Sequence, residues 1–394
     1  MPRIASRMDN VPPYVFARVN KKIAEREAAT GEKVINLGIG SPDLPTPQWI
    51  VDILTEASQN PLNHRYPNYA GMPAFREGVA HYYQQRFGVA IDPKTEVVPL
   101  IGSKEGLAHA TQAWAGQGDV VLVPDPGYPT YTFAAHLVDA EPYFVPLDAD
   151  NNWLPRLDDI PVDVLKRATL IWANYPNNPV GAVASLDELA ALVDWCRQHD
   201  LWLAFDNPYC DLTYDGFIAP SILEIPGAKD VAVEFNSLSK TYNMAGWRVG
   251  MAVGNPVALE ALSRVKSNVD TGIPNAIQLA SAAALTGDQS WLQDRNAIYS
   301  ARRDILVAGL NAAGFEADRP KATLYVWART PADWADDEYA MYALDKAGVW
   351  LTPGREYGRH GEGYVRASLA VPEADMREAV RRLKALELTA VVAK

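Results

Sequence analysis

Five short apolar runs in the middle of the chain most constrain its fold. Residues 120–124 (VVLVP), 169–172 (TLIW), 201–205 (LWLAF), 231–235 (VAVEF) and 249–253 (VGMAV) are too short for apolar helices and show no polar alternation. A strand with one face in water alternates, whereas a strand covered on both faces does not. Between about residues 95 and 255 these runs are separated by longer stretches of helical periodicity, which is a βαβ rhythm. Ser185 and Glu188 read as a capping box that opens a helix running to about His199, just before the run at 201. The expected class is α/β, with a large, mostly parallel central sheet covered by helices.

The pattern then changes. Residues 291–312 read as a long charged helix, 323–328 and 364–368 as strands, and a final helix starts at Glu373, which together suggest a smaller α+β domain. The start of the chain is proline-rich, with Pro12, Pro13, Pro42, Pro45 and Pro47, and is expected along the surface or across a partner. With 48% apolar residues in 394, a substantial core is available.

Charge and composition exclude several classes of function. A net charge of −12 without a basic run argues against nucleic acid. Cys196 and Cys210 form neither a disulfide framework nor a zinc pattern, so a reducing cytoplasm is the expected setting. The six histidines include no pair at ligand spacing on one helix face, and no metal is expected. The first ten residues carry charge with no apolar stretch after them, and no span approaches membrane length, so neither an export signal nor a membrane anchor is expected.

The chemistry concentrates in SLSKTYNMAGWRVG at 237–250, where one turn after a buried strand carries an amine, two hydroxyls and a guanidinium. Lys240 can supply an amine for a Schiff base, and Ser237, Ser239 and Arg248 can hold a phosphate dianion beside it. A lysine amine has an ordinary pKa of about 10.4 and attacks an aldehyde only after losing its proton, a loss that desolvation and a nearby cation favour. Taken singly, a lysine after a strand is most often solvated, and Arg248 reads as half of a buried ion pair.

This run resembles, position by position, the cofactor-lysine signature of fold-type I aminotransferases that use pyridoxal 5'-phosphate, and the likeness extends over nearly the whole chain. The resemblance implies an aspartate-aminotransferase-like fold. Residues 1–45 would form an N-terminal arm and part of the small domain, 46–285 the large cofactor-binding domain, and 286–394 the small C-terminal domain.

It also implies roles for residues elsewhere. Asp206, at the end of the 201–205 run, would face the pyridine nitrogen, while Tyr209 and Asn178, in NYPNNPVG at 174–181, would donate to the ring oxygen. In GSKEG at 102–106, Ser103 and Lys104 fall where the family binds the phosphate at a helix start. Tyr128 would stack on the pyridine ring, and Tyr66 would reach the phosphate from the neighbouring subunit of a homodimer with a shared active site. Arg366 would bind the substrate carboxylate, the Gly40 backbone would pass close to the substrate, and Tyr14 would close the pocket. Tyr66, Lys104, Tyr128 and Asn178 would also touch substrate.

Each of these residues has a plainer reading on its own. Ser103 could be an N-cap, Asp206 a turn residue, Tyr128 packing in a proline turn, Tyr66 a surface anchor and Arg366 an exposed strand arginine.

Within the family, PPYVF at 12–16, NHRY at 63–66, IGSKEG at 101–106 and SLSKTYNM at 237–244 resemble LL-diaminopimelate aminotransferases of bacterial lysine biosynthesis, whose other amino pair is glutamate and 2-oxoglutarate. Val180 and Thr271 depart from the residues usual in related enzymes, threonine and asparagine respectively. The alternatives on the same scaffold are a general L-amino acid aminotransferase and a cysteine-conjugate β-lyase. Lys266 lies near a distal cation of aspartate-specific relatives but also reads as a helix-surface lysine.

Overall fold

The computed structural model describes residues 3–11, 15–331 and 334–388. Helix α1 (Val15–Thr30) and the short strand β1 (Ile35–Asn36) precede helices α2 (Gln48–Gln59) and α3 (Pro73–Phe87). The α/β stretch follows as β2 (Val97–Leu100), α4 (Ser103–Trp114), β3 (Val120–Asp125), α5 (Thr130–Leu137), β4 (Glu141–Pro146), α6 (Val162–Leu165) and β5 (Ala168–Asn174). It continues through α7 (Leu186–Gln198), β6 (Trp202–Asp206), β7 (Ala232–Ser237), the one-turn helix α8 (Leu238–Thr241) and β8 (Gly250–Gly254). Helices α9 (Pro256–Val269), α10 (Asn275–Thr286) and α11 (Trp291–Ala312) lead to β9 (Glu316–Ala317), β10 (Tyr325–Arg329) and α12 (Asp336–Ala347). The chain closes with β11 (Val349–Trp350), β12 (Thr352–Pro353), β13 (Tyr364–Ser368) and α13 (Glu373–Lys384).

Seven strands form the large sheet in the order β2-β8-β7-β6-β5-β3-β4. The five from β4 to β7 run parallel, whereas β8 is antiparallel to both β7 and β2. Alternate residues of one strand enter different cores: Ile171 and Phe205 pack with α2, α3, α7 and α10, while Trp172 and Ala204 pack with α4, α5 and α9. Burial on both faces is why these runs lack polar alternation. The mostly parallel sheet is as expected, but the run at 249–253 is its reversed member, because the twelve residues 238–249 between β7 and β8, with the one-turn α8 and no crossover helix, return the chain directly.

Four antiparallel strands, β12-β13-β10-β9, form a second sheet, and β1 near the N-terminus pairs in parallel with β11. Its core joins Tyr299, Leu306 and Leu310 of α11 to Tyr339, Val365, Ala367 and Met376, and takes in Tyr209, Leu212 and Tyr214 from the loop after β6. The site therefore lies on chain shared by two cores.

Local chemistry sets the element ends. The Ser185–Glu188 capping box is present at the start of α7, which ends at Gln198 with His199 as its C-cap. The strand expected at 323–328 starts instead at Tyr325, since Thr323 has a φ of 75° and its hydroxyl accepts the Tyr325 N–H at 3.2 Å. Helix α4 starts at Ser103, with Gly102 as its N-cap, which removes the N-cap reading of Ser103. Among the described residues no helix is long and apolar enough to cross a membrane.

Candidate active site

The site forms at the carboxyl ends of β5, β6 and β7, the usual ligand position in a sheet of this kind. Asn174 and Asp206 end adjacent strands in register, and the Asn174 Nδ2 donates to the Asp206 backbone carbonyl at 2.6 Å. Asp206 is buried, its Oδ2 accepts from the Tyr131 hydroxyl at 2.7 Å, and its Oδ1 has no hydrogen-bond partner. Burial pushes its pKa up to about 7, partly offset by the Tyr131 bond.

Lys240 lies one turn past β7 on α8, and its Nζ donates to the carbonyl of Gly40. Burial lowers its pKa; Tyr325 opposes that shift, while Arg366 and Arg248 reinforce it. Ser237 caps α8 by accepting the Ser239 N–H at 3.2 Å, and its hydroxyl donates to the Val249 carbonyl at 3.3 Å. Arg248, at a φ of 58°, donates to the Ala245 carbonyl at 2.9 Å. It is exposed and makes no ion pair among the described residues, so the buried-pair reading does not hold. A Cβ on Gly102, at a φ of 74°, would overlap the Arg248 guanidinium, so the glycine lets this arginine reach the N-terminus of α4 beside Ser103 and Lys104. The Lys104 Nζ lies 5.8 Å from the centre of the Tyr128 ring.

Arg366 is buried at 2% exposure, which rules out the exposed-strand reading. Its Nη1 donates to Asn178 Oδ1 at 2.8 Å and its Nη2 to the Gly38 carbonyl at 3.0 Å. The guanidinium carbon lies 4.0 Å from the centre of the Tyr325 ring. The hydroxyls of Tyr325 and Tyr209 are 3.1 Å apart, and Tyr325 also donates to the Gly40 carbonyl at 3.3 Å. Lys240, Gly40, Tyr209, Tyr325, Arg366 and Asn178 therefore form one connected cluster. Tyr66, exposed at 87%, stands outside it, and Tyr14 lies outside the described residues.

The sequence reading gave no role to Tyr325, Tyr131 or Gly38. Tyr325 lies two residues from the position opposite Arg366 on the neighbouring strand and so shares its face, a signal that exists only once β10 and β13 pair. Tyr131 lies in the first turn of α5, three residues after Tyr128 and bonded back to its carbonyl, a spacing that could have suggested it. Lys266 is not on the helix surface: it is buried and bonded to Glu105 and Asp270. Glu105, His109 and Asp270 come within metal-ligand distance of one another, but this ammonium already serves both carboxylates. Val180 packs beside Trp327 and Tyr357, and Thr271 is exposed just after α9.

Residues 32–383 match the family aminotransferase class I and II, and the chain belongs to that family. It is 49% identical over 381 residues to the LL-diaminopimelate aminotransferase of Dehalococcoides mccartyi, covering 97% of this chain and 98% of that one. The substrate-bound BacF structure from Bacillus subtilis superposes with a TM-score of 0.93 at 38% identity, covering 98% of both chains. A single mutant of Thermus thermophilus aspartate aminotransferase gives 0.90 at 28% identity, covering 98% of this chain and 99% of that one. The fold is aspartate-aminotransferase-like, and the chain is a pyridoxal-phosphate-dependent transaminase.

The residues present fit that cofactor. A buried carboxylate oxygen without a partner suits a protonated ring nitrogen, a desolvated amine suits an aldehyde, and a helix N-terminus beside Arg248 suits a dianion.

Proposed function

We propose that this enzyme transfers an amino group between LL-diaminopimelate and 2-oxoglutarate, with glutamate as the other amino acid, in lysine biosynthesis. The observation that carries this reading is 49% identity, over 97% of this chain, to a relative of that name. When bound, pyridoxal 5'-phosphate supplies an aldehyde that condenses with amines and a ring that takes up electrons.

In this reading the chain's own residues bind, orient and move protons. Lys240 would hold the cofactor through its amine, and its Nζ, when free, would take the proton from the substrate Cα. In the return half-reaction Lys240 delivers a proton to the corresponding carbon of the 2-oxo acid. Asp206 faces the ring nitrogen, and its charge keeps that nitrogen protonated. Tyr209 and the Asn178 amide donate to the ring oxygen, while Tyr128 covers the ring face. Ser103, Lys104, Ser237, Ser239 and Arg248 hold the phosphate. Arg366, oriented by Asn178 and Gly38, grips the substrate α-carboxylate in a fork. Gly40, and Tyr14 beyond the described residues, complete the substrate side.

The exposed Tyr66 reaches the phosphate of a second copy, so the working form is a homodimer, and the two unpaired, buried cysteines suit a cytoplasmic setting. Segments 1–45, 46–285 and 286–394 act as arm, large domain and small domain. Sedimentation tests the dimer. Mixing Tyr66→Phe with Lys240→Ala chains tests the shared site, since hybrids regain one intact site only if Tyr66 acts across subunits.

A panel of amino acids added to loaded enzyme, with the cofactor's visible band followed, tests the substrate. LL-diaminopimelate is expected to convert the band fastest. Equal or faster conversion by alanine or aspartate overturns the substrate assignment, and pyruvate and ammonia release from a β-substituted donor would indicate the lyase.

A further inference from the structure

Three arginines of α11 are buried: Arg295, Arg302 and Arg303. Two of them meet carboxylates, Arg302 at Asp43 and Arg303 at Asp215 and Asp304. Arg295, only 3% exposed, makes no ion pair among the described residues. Its Nη1 donates to the backbone carbonyls of Lys240, at 3.1 Å, and of Thr241, and its Nη2 donates to the carbonyl of Asp211. Asn296 steadies this fork, since its Oδ1 accepts from the Arg295 Nε at 3.1 Å and its Nδ2 donates to the same Asp211 carbonyl at 2.9 Å. The Asp211 carboxylate is taken by Arg86 at 2.8 Å and by the Tyr82 hydroxyl at 2.6 Å.

A buried cation turned onto neutral carbonyls needs a reason, because desolvation is expensive and a carboxylate partner would offset more of it. The carbonyls it serves supply the reason. Helix α8 has four residues, too few to hold its own shape, and its last carbonyls have no partner within the helix. A guanidinium at a helix C-terminus satisfies those carbonyls and complements the helix dipole. Asp211 lies two residues beyond Tyr209, so one fork joins the backbone of the reactive lysine to the segment carrying the tyrosine in the site.

We infer that Arg295 is a positioning residue that fixes the backbone of Lys240 against the Tyr209 segment, so that the amine swings from a stationary root. This rests on Lys240 being the cofactor lysine. Arg366 is untouched, so removing the fork should act on the proton-transfer step rather than on substrate capture.

The test compares Arg295→Gln, Arg295→Lys and, as a control on the same helix, Arg303→Gln. Each holoenzyme is measured for kcat, KM, melting temperature and visible circular dichroism per bound cofactor. Lys240 in the stripped protein is also titrated by following its acetylation with mass spectrometry. Arg295→Gln should lower kcat about 10- to 100-fold, as expected for a misplacement near 1 Å, with KM changed less than about threefold. The dichroism should fall by about half and the Lys240 labelling profile should shift, with partial recovery in Arg295→Lys. Arg303→Gln should lower the melting temperature while leaving dichroism and labelling as in the wild type.

Wild-type dichroism, labelling and kcat in Arg295→Gln, with only a lower melting temperature, overturn the inference. If Arg295→Gln does not fold, the same wild-type pattern in Arg295→Lys overturns it, because an ammonium cannot span the three carbonyls. Should the wild type bind no cofactor through Lys240, the functional reading falls as well. A wild type that binds and turns over beside an unaffected Arg295→Gln sinks this inference alone.

Discussion

Tyr131 engages only one oxygen of Asp206: its hydroxyl donates to Oδ2 at 2.7 Å, while Oδ1 is buried with no hydrogen-bond partner. That bond lowers the carboxyl pKa against a larger rise from burial, leaving it at about 7. Tyr131→Phe removes the lowering contribution, so the carboxyl becomes harder to ionise. The acidic limb for cofactor uptake should move to higher pH, as read by equilibrium binding across pH 5 to 9. Asp206→Asn should slow the amino-acid half-reaction by at least about a hundredfold in stopped-flow absorbance.

The cofactor-free protein should lose stability as pH rises toward neutrality. Asp206 and Glu234 are both buried, with pKa values raised by burial to about 7, against ordinary values of 3.8 and 4.5. Between those limits the folded state binds more protons than the unfolded one, so the stability these groups contribute is present at low pH and lost as pH climbs through 7. The steepest loss is about 1.4 kcal/mol per pH unit for each group. Urea unfolding from pH 4 to 8 measures it, and Asp206→Asn should flatten the slope.

Tyr325→Phe should make Lys240 a weaker base. Burial raises the Tyr325 pKa, but the cations of Lys240 and Arg366 outweigh it, and the net shift is downward. Tyr325 in turn raises the pKa of Lys240. Removing the hydroxyl deletes that support, so the Lys240 titration in stripped protein should move to lower pH. The ring under Arg366 remains, so KM for the amino acid should change less than about threefold, in line with uniform binding being kept.

Gly102→Ala should weaken cofactor binding by tenfold or more. The added methyl overlaps the Arg248 guanidinium, and a φ of 74° with a ψ of 150° lies in a region that costs an L-residue about 1–3 kcal/mol. Fluorescence titration of stripped protein with the cofactor checks it, and inorganic phosphate should compete less effectively against the variant.

The strands most legible in the sequence are those buried on both faces. Within the large sheet the two strands missed, β2 and β4, are its edges, and both contain proline: Pro99 in β2, Pro142 and Pro146 in β4. Proline cannot donate to a ladder and is tolerated at an edge, and in β2 and β4 it breaks up runs that are already short or half exposed. The site divides similarly. Lys240, Asp206 and Asn178 stand in local motifs and could be read in order. Tyr325 and Arg295 owe their places to strand register and to packing between distant segments, and their neighbours in sequence carry no trace of it.

The bond from Arg366 to Gly38 spans 328 residues, and that from Lys240 to Gly40 spans 200. A chain made from its N-terminus has Asp206 and Lys240 in hand more than a hundred residues before Arg366 leaves the ribosome. The side chain proposed to take the α-carboxylate common to all amino acids is thus among the last of the site to be made, on the final strand of the fold.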